Sequence, residues 1–311
     1  MTDYQPLISV VIASYNHEEY ISETIASIWR QPYPNIEIAI VDDCSPDGSW
    51  ALLQDLQARS PLPMRLERNT RNMGPAATFN AVLKLATGEL IALFASDDLF
   101  AEDRFTSAVA LFAARPALQI VYGNGISFTA DERNGKVHKP RVKALLDKEP
   151  AEIARYLYTH VSPLFVQSTL IRLKLIEQVG GFDSALLADD WLLNSRIFSH
   201  LTNRDQFAYL DEVVFYYRLH PRNVHRDSKR HQRLKLEFVE KHTPQELKPE
   251  AFSNIHYLLA RSELNSQKFA ESWRHYRLGQ QYKFRWSHTR FPWSWLRRWL
   301  RSRLLNLPVK S

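Results

Sequence analysis

The chain has 311 residues, of which 45% are hydrophobic and 24% charged, a composition typical of a globular protein with a sizeable core. Its single cysteine, Cys44, excludes an internal disulfide framework and a zinc site built from cysteines. No apolar run reaches the roughly 18 residues of a membrane-spanning helix, and residues 1–7 lack the basic start of a signal peptide, so we expect neither.

The net charge of +6 is unevenly distributed along the chain. Residues 272–311 contain ten lysines and arginines and no acid, which leaves a net charge of −4 for residues 1–271. This separation indicates a basic, surface-binding tail on a mildly acidic body.

Short apolar strands and amphipathic helices alternate through the first 95 residues. The pattern predicts strands at Ile8–Ala13, Ile36–Val41, Met64–Arg68 and Leu90–Ala95, and helices at Glu18–Arg30, Ser49–Arg59 and Pro75–Ala86. Strands and helices that alternate with short connections predict a doubly wound α/β fold with a mostly parallel sheet.

Polar residues follow three of these strands: Ser14–Asn16, Asp42–Asp43 and Ser96–Asp98. The carboxyl ends of parallel strands meet at one edge, where open α/β sheets bind their ligands. Two adjacent carboxylates repel each other, so a divalent cation beside Asp97 and Asp98 would stabilise them. The alternative is that Asp98 caps a helix beginning near Glu102. No glycine-rich phosphate-binding motif follows the first strand, which leaves a metal to hold a diphosphate.

Six motifs resemble those of glycosyltransferase family 2, and they occur in the order of that family. They are Val10–Asn16, Ile40–Ser49, Asn72–Gly74, Ser96–Asp98, Gly180–Asp183 and Asp189–Trp191. The resemblance implies a GT-A fold, a Rossmann-like and mostly parallel sheet flanked by helices. It further implies a metal-dependent, inverting transfer of a sugar from a nucleotide diphosphosugar in bacterial surface-polysaccharide synthesis.

The resemblance also assigns roles to single residues. It implies that Ala13 and Tyr15 line the nucleobase pocket and that Asp43 accepts a hydrogen bond from the N3–H of uracil or thymine. Asp97 is then expected to reach the ribose or the metal, and Asp98 to bind Mn²⁺ or Mg²⁺.

The second pair of acids resembles the family's catalytic motif. By that resemblance Asp190 is the base that takes the proton from the acceptor hydroxyl, and Asp189 is its neighbour. The alternative is that both acids only cap the helix that begins at Trp191. Phe207–Tyr217 alternates as a strand does, and the residues at its end resemble the closing Y-R-x-H segment of the family. This resemblance implies that Arg218 or His220 is the cationic group near the diphosphate.

Two departures from the family pattern affect the expected site. Ala95 stands where many relatives have the first acid of a D-x-D-D motif, so fewer carboxylates are available for the metal. Residues 78–80 lack an arginine that relatives have in this helix, so Arg68 or Arg71 is the candidate for a phosphate contact.

The middle of the chain gives weaker signals. We expect a helix at Ala101–Arg115, a short strand at Ile120–Tyr122, and a hairpin whose tip is at Asn134–Gly135. The basic segment Lys136–Lys148 is either a mobile loop over the acceptor site or an ordinary solvated loop.

The C-terminal part predicts a separate helical extension, with domains at residues 1–225 and 226–311. In the tail, Leu296, Trp299, Leu300 and Leu304 recur at helical spacing, while arginines occupy other directions. A basic, tryptophan-rich amphipathic helix favours docking on an anionic membrane. The alternative is that its apolar side chains pack on the body while the arginines face water. Nucleic acid is not expected, because no nucleic-acid-binding module is present.

Together these features predict a cytoplasmic enzyme, peripheral on the inner face of the cell membrane, that uses a UDP- or dTDP-sugar. The expected acceptor is a growing, lipid-linked glycan of a surface polysaccharide or O-antigen. A different class of function also fits, namely a catalytically silent glycan- or nucleotide-binding module recruited to the membrane. A nucleotidyltransferase would need a basic phosphate-binding loop after the first strand, which Ser14–Asn16 does not supply.

Overall fold

The computed structural model describes residues 4–185, 189–220, 228–283 and 291–304, with the backbone only of residues 189, 228–231 and 301–304. The backbone forms two compact units. One comprises Met1–Ala154 and Pro163–Arg226, and the other comprises Arg155–Ser162 and Asp227–Ser311. The sequence-based division places residues 155–162 in the first domain instead.

The first unit opens with four parallel strands that alternate with three helices. In chain order these are β1 (Ile8–Ser14), α1 (Ile21–Trp29), β2 (Ile36–Asp42), α2 (Ser49–Ala58), β3 (Met64–Arg68), α3 (Pro75–Leu83) and β4 (Leu90–Ala95). In the central strand, Ile8 is paired with Ile36 on one side and Leu90 on the other. Strands β1, β2 and β4 are buried almost throughout, as expected of parallel strands covered on both faces. The predicted doubly wound α/β arrangement is confirmed.

Within the described residues, the rest of this unit completes a nine-stranded sheet. Its elements are β5 (Leu99–Phe100), α4 (Thr106–Ala114), β6 (Ile120–Phe128), β7 (Arg133–Lys136), α5 (Pro140–Leu146), the first half of α6 (Pro150–Thr159), β8 (Thr169–Arg172), α7 (Leu173–Gln178), α8 (Asp189–His200) and β9 (Phe207–Arg218). The strand order is β3-β2-β1-β4-β8-β6-β9-β5, and β7 is paired with β6.

The directions of the strands determine which strand ends lie at the ligand-binding edge of the sheet. Strand β8 is antiparallel to both β4 and β6, so β6 runs in the direction of β4, and β9 is parallel to β6. The carboxyl end of β9 therefore lies at the same edge as those of β1, β2 and β4. Phenylalanines 94, 100, 105, 112 and 215 are among the largest fully or almost fully buried side chains of the core beneath this edge.

Three local predictions are wrong. Asn134 and Gly135 lie within β7, because the turn forms earlier, where Thr129 N–H bonds to the carbonyl of Glu132. The segment predicted as a loop contains α5, which buries Val142, Leu145 and Leu146. The helix expected from residue 101 begins only at Thr106. The N–H of Thr106 donates a hydrogen bond to Oδ1 of Asp103, so Asp98 does not cap this helix.

The second unit is helical. It contains α9 (Ser228–His242), α10 (Lys248–Asn265), α11 (Phe269–Tyr282) and α12 (Phe291–Leu304), as the sequence periodicity predicts. Gly279 allows α11 to approach α10 closely, since a Cβ there would be 3.1 Å from the carbonyl oxygen of Ser253. Among the described residues, no helix is both long and apolar enough to span a membrane.

Candidate active site

The carboxyl ends of β1, β2, β4 and β9 bring polar side chains from four distant segments to one edge of the sheet. These are His17 after β1, Asp43 after β2, Asp97 and Asp98 after β4, and Arg218 and His220 at the end of β9. The sequence predicted the convergence of the first three segments. Pairing of β9 with β5, with Tyr216 opposite Leu99, adds the fourth.

The carboxylate of Asp97 contacts two histidines. Its Oδ2 is 2.9 Å from Nε2 of His220 and 3.7 Å from Nε2 of His17. Nδ1 of His17 is in turn 2.7 Å from Oγ of Ser96, which fixes the direction of that ring. Burial by itself raises the pKa of Asp97, but the hydrogen bond with His220 and the charges of both histidines bring it below its ordinary value. These contacts therefore favour the ionised form of Asp97.

Asp98 is fully buried beside Asp97. Its Oδ1 accepts a hydrogen bond of 2.9 Å from the backbone N–H of Arg218, whereas its enclosed Oδ2 accepts none from the described part of the chain. Burial, followed by the charge of Asp97, raises the pKa of Asp98 well above its ordinary value, and the charges of Arg218 and the buried Arg104 oppose this. A bound cation near Oδ2 would favour the ionised form.

The side chain of Arg218 braces the turn that carries the two aspartates. Its Nε donates to the carbonyl oxygen of Asp97 at 2.7 Å, and Nη2 donates to Glu23 of α1 at 2.6 Å. The guanidinium carbon also lies 5.1 Å from the ring centre of Tyr20 and 4.7 Å from that of Phe128. Arg218 thus connects three elements at the edge, and its role near a diphosphate stays a prediction.

Asp43 organises the loop before α3. Its Oδ1 accepts hydrogen bonds from Nδ2 of Asn69 (2.7 Å) and the N–H of Met73 (2.8 Å), while Oδ2 accepts the N–H of Gly74 (2.8 Å). Gly74 has a backbone φ of +85°, which residues with a Cβ rarely adopt. Since a carboxylate can accept about four hydrogen bonds, Oδ2 retains a lone pair for a base N–H.

The two residues expected to line the nucleobase pocket lie at the end of β1. Ala13 is partly buried and is paired with Val41 and Ala95, so its neighbours are strand residues of the same edge. Tyr15 is 42% exposed and offers its ring to solvent, as a stacking residue would. The next residue, Asn16, has φ of +57°, and its N–H is bonded to Oγ of Ser45 at 2.9 Å, which fixes the loop.

Asp190 lies in the first turn of α8 and is partly buried. Burial raises its pKa to about 6, although hydrogen bonds from the N–H groups of Trp191 and of Asp190 itself oppose the shift. Burial also raises the pKa of Tyr217, and the charges of Asp98, Asp97 and Asp190 raise it further, in that order. All three carboxylates therefore lie within electrostatic range of one phenol, that of Tyr217.

The other residues that the sequence predicted for this site are Asp189, Arg71 and Arg68. The side chain of Asp189 lies outside the described residues. Arg71 is exposed, and its Nε is 3.4 Å from Sδ of Met73. Arg68 is used within the fold, because its Nε is 3.2 Å from Asp42 and its Nη2 donates to the carbonyl of Ser45. Of the two predicted phosphate-binding arginines, Arg68 is thus the one that already holds the fold together through an acidic side chain.

His17, Asp97 and His220 form a set that fits a metal ion. One ligand atom from each lies within 4.8 Å of the others, and the neighbouring Oδ2 of Asp98 is buried without a hydrogen-bond partner in the described chain. Imidazole and carboxylate ligands together favour a transition metal such as Mn²⁺ over Mg²⁺, which prefers oxygen ligands. The sequence had predicted Asp98 as the metal ligand, with Asp97 reaching either the ribose or the metal, and had not included His17.

Sequence reasoning missed three residues of this site. His17 directly follows the Ser14–Asn16 loop, so a histidine beside a strand-end turn could have been included. Tyr217 lies inside the motif that pointed to Arg218 and His220. The burial of Arg104, which donates to the carbonyls of Gln167, Thr169 and Val214, has no local sequence signal.

The chain belongs to glycosyl transferase family 2, since the family model with that description matches residues 9–180, more than half of the chain. TuaG of Bacillus subtilis is 36% identical over 104 residues, which are 33% of this chain and 41% of TuaG. The Escherichia coli enzyme WfaP, named UDP-Glc:alpha-D-GlcNAc-diphosphoundecaprenol beta-1,3-glucosyltransferase, is 33% identical over 103 residues, 33% of this chain and 40% of WfaP. The matched segments thus span less than half of either relative.

Solved structures identify the fold as GT-A. TarS 1-349 of S. aureus, solved in complex with UDP, has a TM-score of 0.57 at 20% identity and covers 89% of this chain and 91% of its own. The mannosyltransferase PcManGT of Pyrobaculum calidifontis, in complex with GDP-Man and Mn²⁺, has a TM-score of 0.59 at 19% identity. The match covers 98% of this chain and 88% of the PcManGT chain.

Proposed function

We propose that the chain transfers a sugar, with inversion, from a UDP- or dTDP-sugar to a hydroxyl group of a growing surface glycan. The observation that carries the proposal is that Asp43, Asp97 and Asp98 meet at one edge of the sheet, while Asp97, Asp98 and Asp190 all lie within electrostatic range of Tyr217. An ionised carboxylate near two imidazoles and a carboxylate of raised pKa provide a charge-binding centre and a base in one site.

The donor is held by the first half of the edge. Oδ2 of Asp43, fixed by Gly74, accepts the N3–H of a pyrimidine, and the exposed ring of Tyr15 stacks on the base beside Ala13. Arg71 is available to contact a phosphate. A pyrimidine donor is in keeping with the UDP complex of TarS and with the UDP-Glc in the name of WfaP.

The diphosphate is expected beside Asp97. His17, Asp97 and His220 would hold Mn²⁺, with Asp98 as a further ligand, and Mg²⁺ is the alternative. The ion would offset the negative charge that develops on the departing nucleoside diphosphate. Arg218 keeps the aspartate turn in place through its bonds to Asp97 and Glu23, and so orients the ligands before the donor binds.

Transfer is a single displacement at the anomeric carbon. The acceptor oxygen forms a bond to that carbon while the bond to the β-phosphate oxygen breaks, and the leaving group departs as the nucleoside diphosphate. Asp190 takes the proton of the acceptor hydroxyl. With a pKa of about 6 it is mostly ionised at neutral pH, and it is more basic than an ordinary carboxylate. The neighbouring Asp189 completes the motif.

The acceptor and the location of the enzyme are part of the same proposal. The name of WfaP contains a diphosphoundecaprenol-linked sugar, which makes a lipid-linked glycan the favoured acceptor here. The ten basic residues of 272–311, without an acid, support a peripheral position on the anionic, cytoplasmic face of the cell membrane.

The proposal is tested by measuring thermal stability with UDP-, dTDP- and GDP-sugars in the presence of Mn²⁺. Because a ligand that binds only the folded form raises Tm, a UDP- or dTDP-sugar should raise Tm more than a GDP-sugar. The protein should also hydrolyse that donor slowly, and the nucleoside diphosphate released by this hydrolysis should be detectable. A stabilising donor that is never cleaved, even with glycolipid acceptors present, would identify a silent nucleotide-binding module instead.

A further inference from the structure

Helix α12 has two apolar faces. Trp293, Leu296 and Leu300 are 75%, 39% and 39% exposed, and their spacing of three and four residues places them on one side of the helix. Phe291 and Trp295 lie on the other side. Because this row of one tryptophan and two leucines is contiguous and exposed, the outer face is a candidate interaction surface.

The inner face is already occupied. Phe291 is buried, with its ring stacked 4.9 Å from that of Tyr276, and Nε1 of Trp295 donates to the carbonyl of Phe269 at 3.1 Å. The rings of Trp273 and Trp295 are 5.2 Å apart. Arg298 donates to Oδ1 of Asn265, which ties the helix to α10. Helix α12 is therefore fixed within its unit by this face.

We infer that the outer face of α12, consisting of Trp293, Leu296 and Leu300, inserts into the interface of an anionic lipid bilayer. The sequence had assigned Trp299 to this role, but its ring stacks on Trp295 at 6.0 Å and belongs to the inner side. Tryptophan favours the membrane interface because it has an apolar body and a polar N–H.

The positive charge around α12 favours an anionic bilayer as the partner. Arg297 is exposed and lies one helical turn after Trp293, next to the apolar row. Residues 272–311 carry ten basic side chains and no acidic one, so the surroundings of the helix attract anionic headgroups. A helix with a basic and an apolar side that lies in the plane of the interface needs no membrane-spanning segment.

The full-length chain should float with vesicles of phosphatidylcholine and phosphatidylglycerol and remain behind with phosphatidylcholine alone. Trp293→Ser combined with Leu296→Ser and Leu300→Ser should weaken binding at least tenfold, without lowering Tm, because these side chains are exposed. Arg297→Gln should weaken it about fivefold, the factor for roughly 1 kcal/mol per basic residue near an anionic surface. Leu258→Ser, at a leucine that is 41% exposed on α10, is the matched control and should bind as wild type.

Three results would overturn the inference. They are equal binding to neutral vesicles, undiminished binding by the triple variant, and a dimer in solution that the triple variant abolishes, which would make a second copy the partner. Binding is measured without donor or acceptor. The inference extends the proposed membrane partner, yet its failure can be distinguished from failure of the proposed transfer activity.

Discussion

The backbone N–H of Arg218 donates to Oδ1 of Asp98 over 2.9 Å, although 120 residues separate them in the chain. This bond joins the end of β9 to the turn after β4, and it brings His220 within 2.9 Å of Asp97. The candidate charge-binding centre therefore exists only when β9 pairs correctly with β5.

The two histidines should determine metal affinity. We expect His17→Ala and His220→Ala each to weaken Mn²⁺ binding by about 10- to 100-fold, because each removes a nitrogen within reach of Asp97. Titration calorimetry with Mn²⁺ alone measures this. His200→Ala, at the exposed end of α8, should leave the affinity unchanged. Unaltered binding in both site variants would remove the histidines from the metal site.

Asp43 should contribute to stability as well as to nucleotide binding. In Asp43→Asn, an amide NH₂ would face one of the N–H donors of Asn69, Met73 and Gly74, and we expect a loss of about 1–3 kcal/mol in the free energy of unfolding. Denaturant titration tests this. Asp55→Asn, which removes only a surface ion pair with Arg59, should cost at most about 0.5 kcal/mol. Equal losses in the two variants would contradict the assigned role of Asp43.

The pH dependence of transfer should report the raised pKa of Asp190. The base must be ionised, so kcat should fall tenfold per pH unit below about 6 and level off above it. Steady-state rates measured with saturating donor and acceptor test this. If kcat instead falls only below about pH 4, the ordinary pKa range of an aspartate, burial does not set the pKa of the base.

Asp190 should also destabilise the fold once it is ionised. Its folded-state pKa of about 6 exceeds the ordinary value of 3.8, so its contribution to stability is present below about pH 4 and is lost as the pH rises through 6. Asp190→Asn should therefore raise stability at pH 8 by up to about 3 kcal/mol and change little at pH 4. Thermal unfolding at both pH values measures this, with the exposed Asp131→Asn as control. A gain of equal size at both pH values would exclude ionisation as its cause.

Much of this site could be predicted from sequence because its parts are local. Buried β-branched strands followed by acids predict both the sheet and the convergence of Asp43, Asp97 and Asp98 at one edge. That Asp190 comes within electrostatic range of the same phenol as Asp97 and Asp98 is not encoded locally, since it depends on β8 reversing the sheet and β9 returning to it. Likewise, the division of α12 into an inner and an outer face depends on which tryptophans pack on α11.

The turn signal of Asn134–Gly135 failed for a related reason. Residues Thr129–Glu132 close the turn with a backbone hydrogen bond, and pairing with β6 then keeps Asn134 and Gly135 in the strand. In α5, the basic residues are exposed while Val142, Leu145 and Leu146 are buried. A count of charges therefore concealed a short amphipathic helix.

Asp190 has the central role in the proposed function, as the base of a glycosyl transfer. The direct test compares wild type with Asp190→Asn, measuring nucleotide binding by calorimetry and sugar transfer to a glycolipid acceptor with the donor that stabilises the wild type. We expect nucleotide affinity within about threefold of wild type and a transfer rate reduced by about 10²- to 10⁴-fold, the usual contribution of a general base. Transfer at the wild-type rate with intact folding would contradict the account.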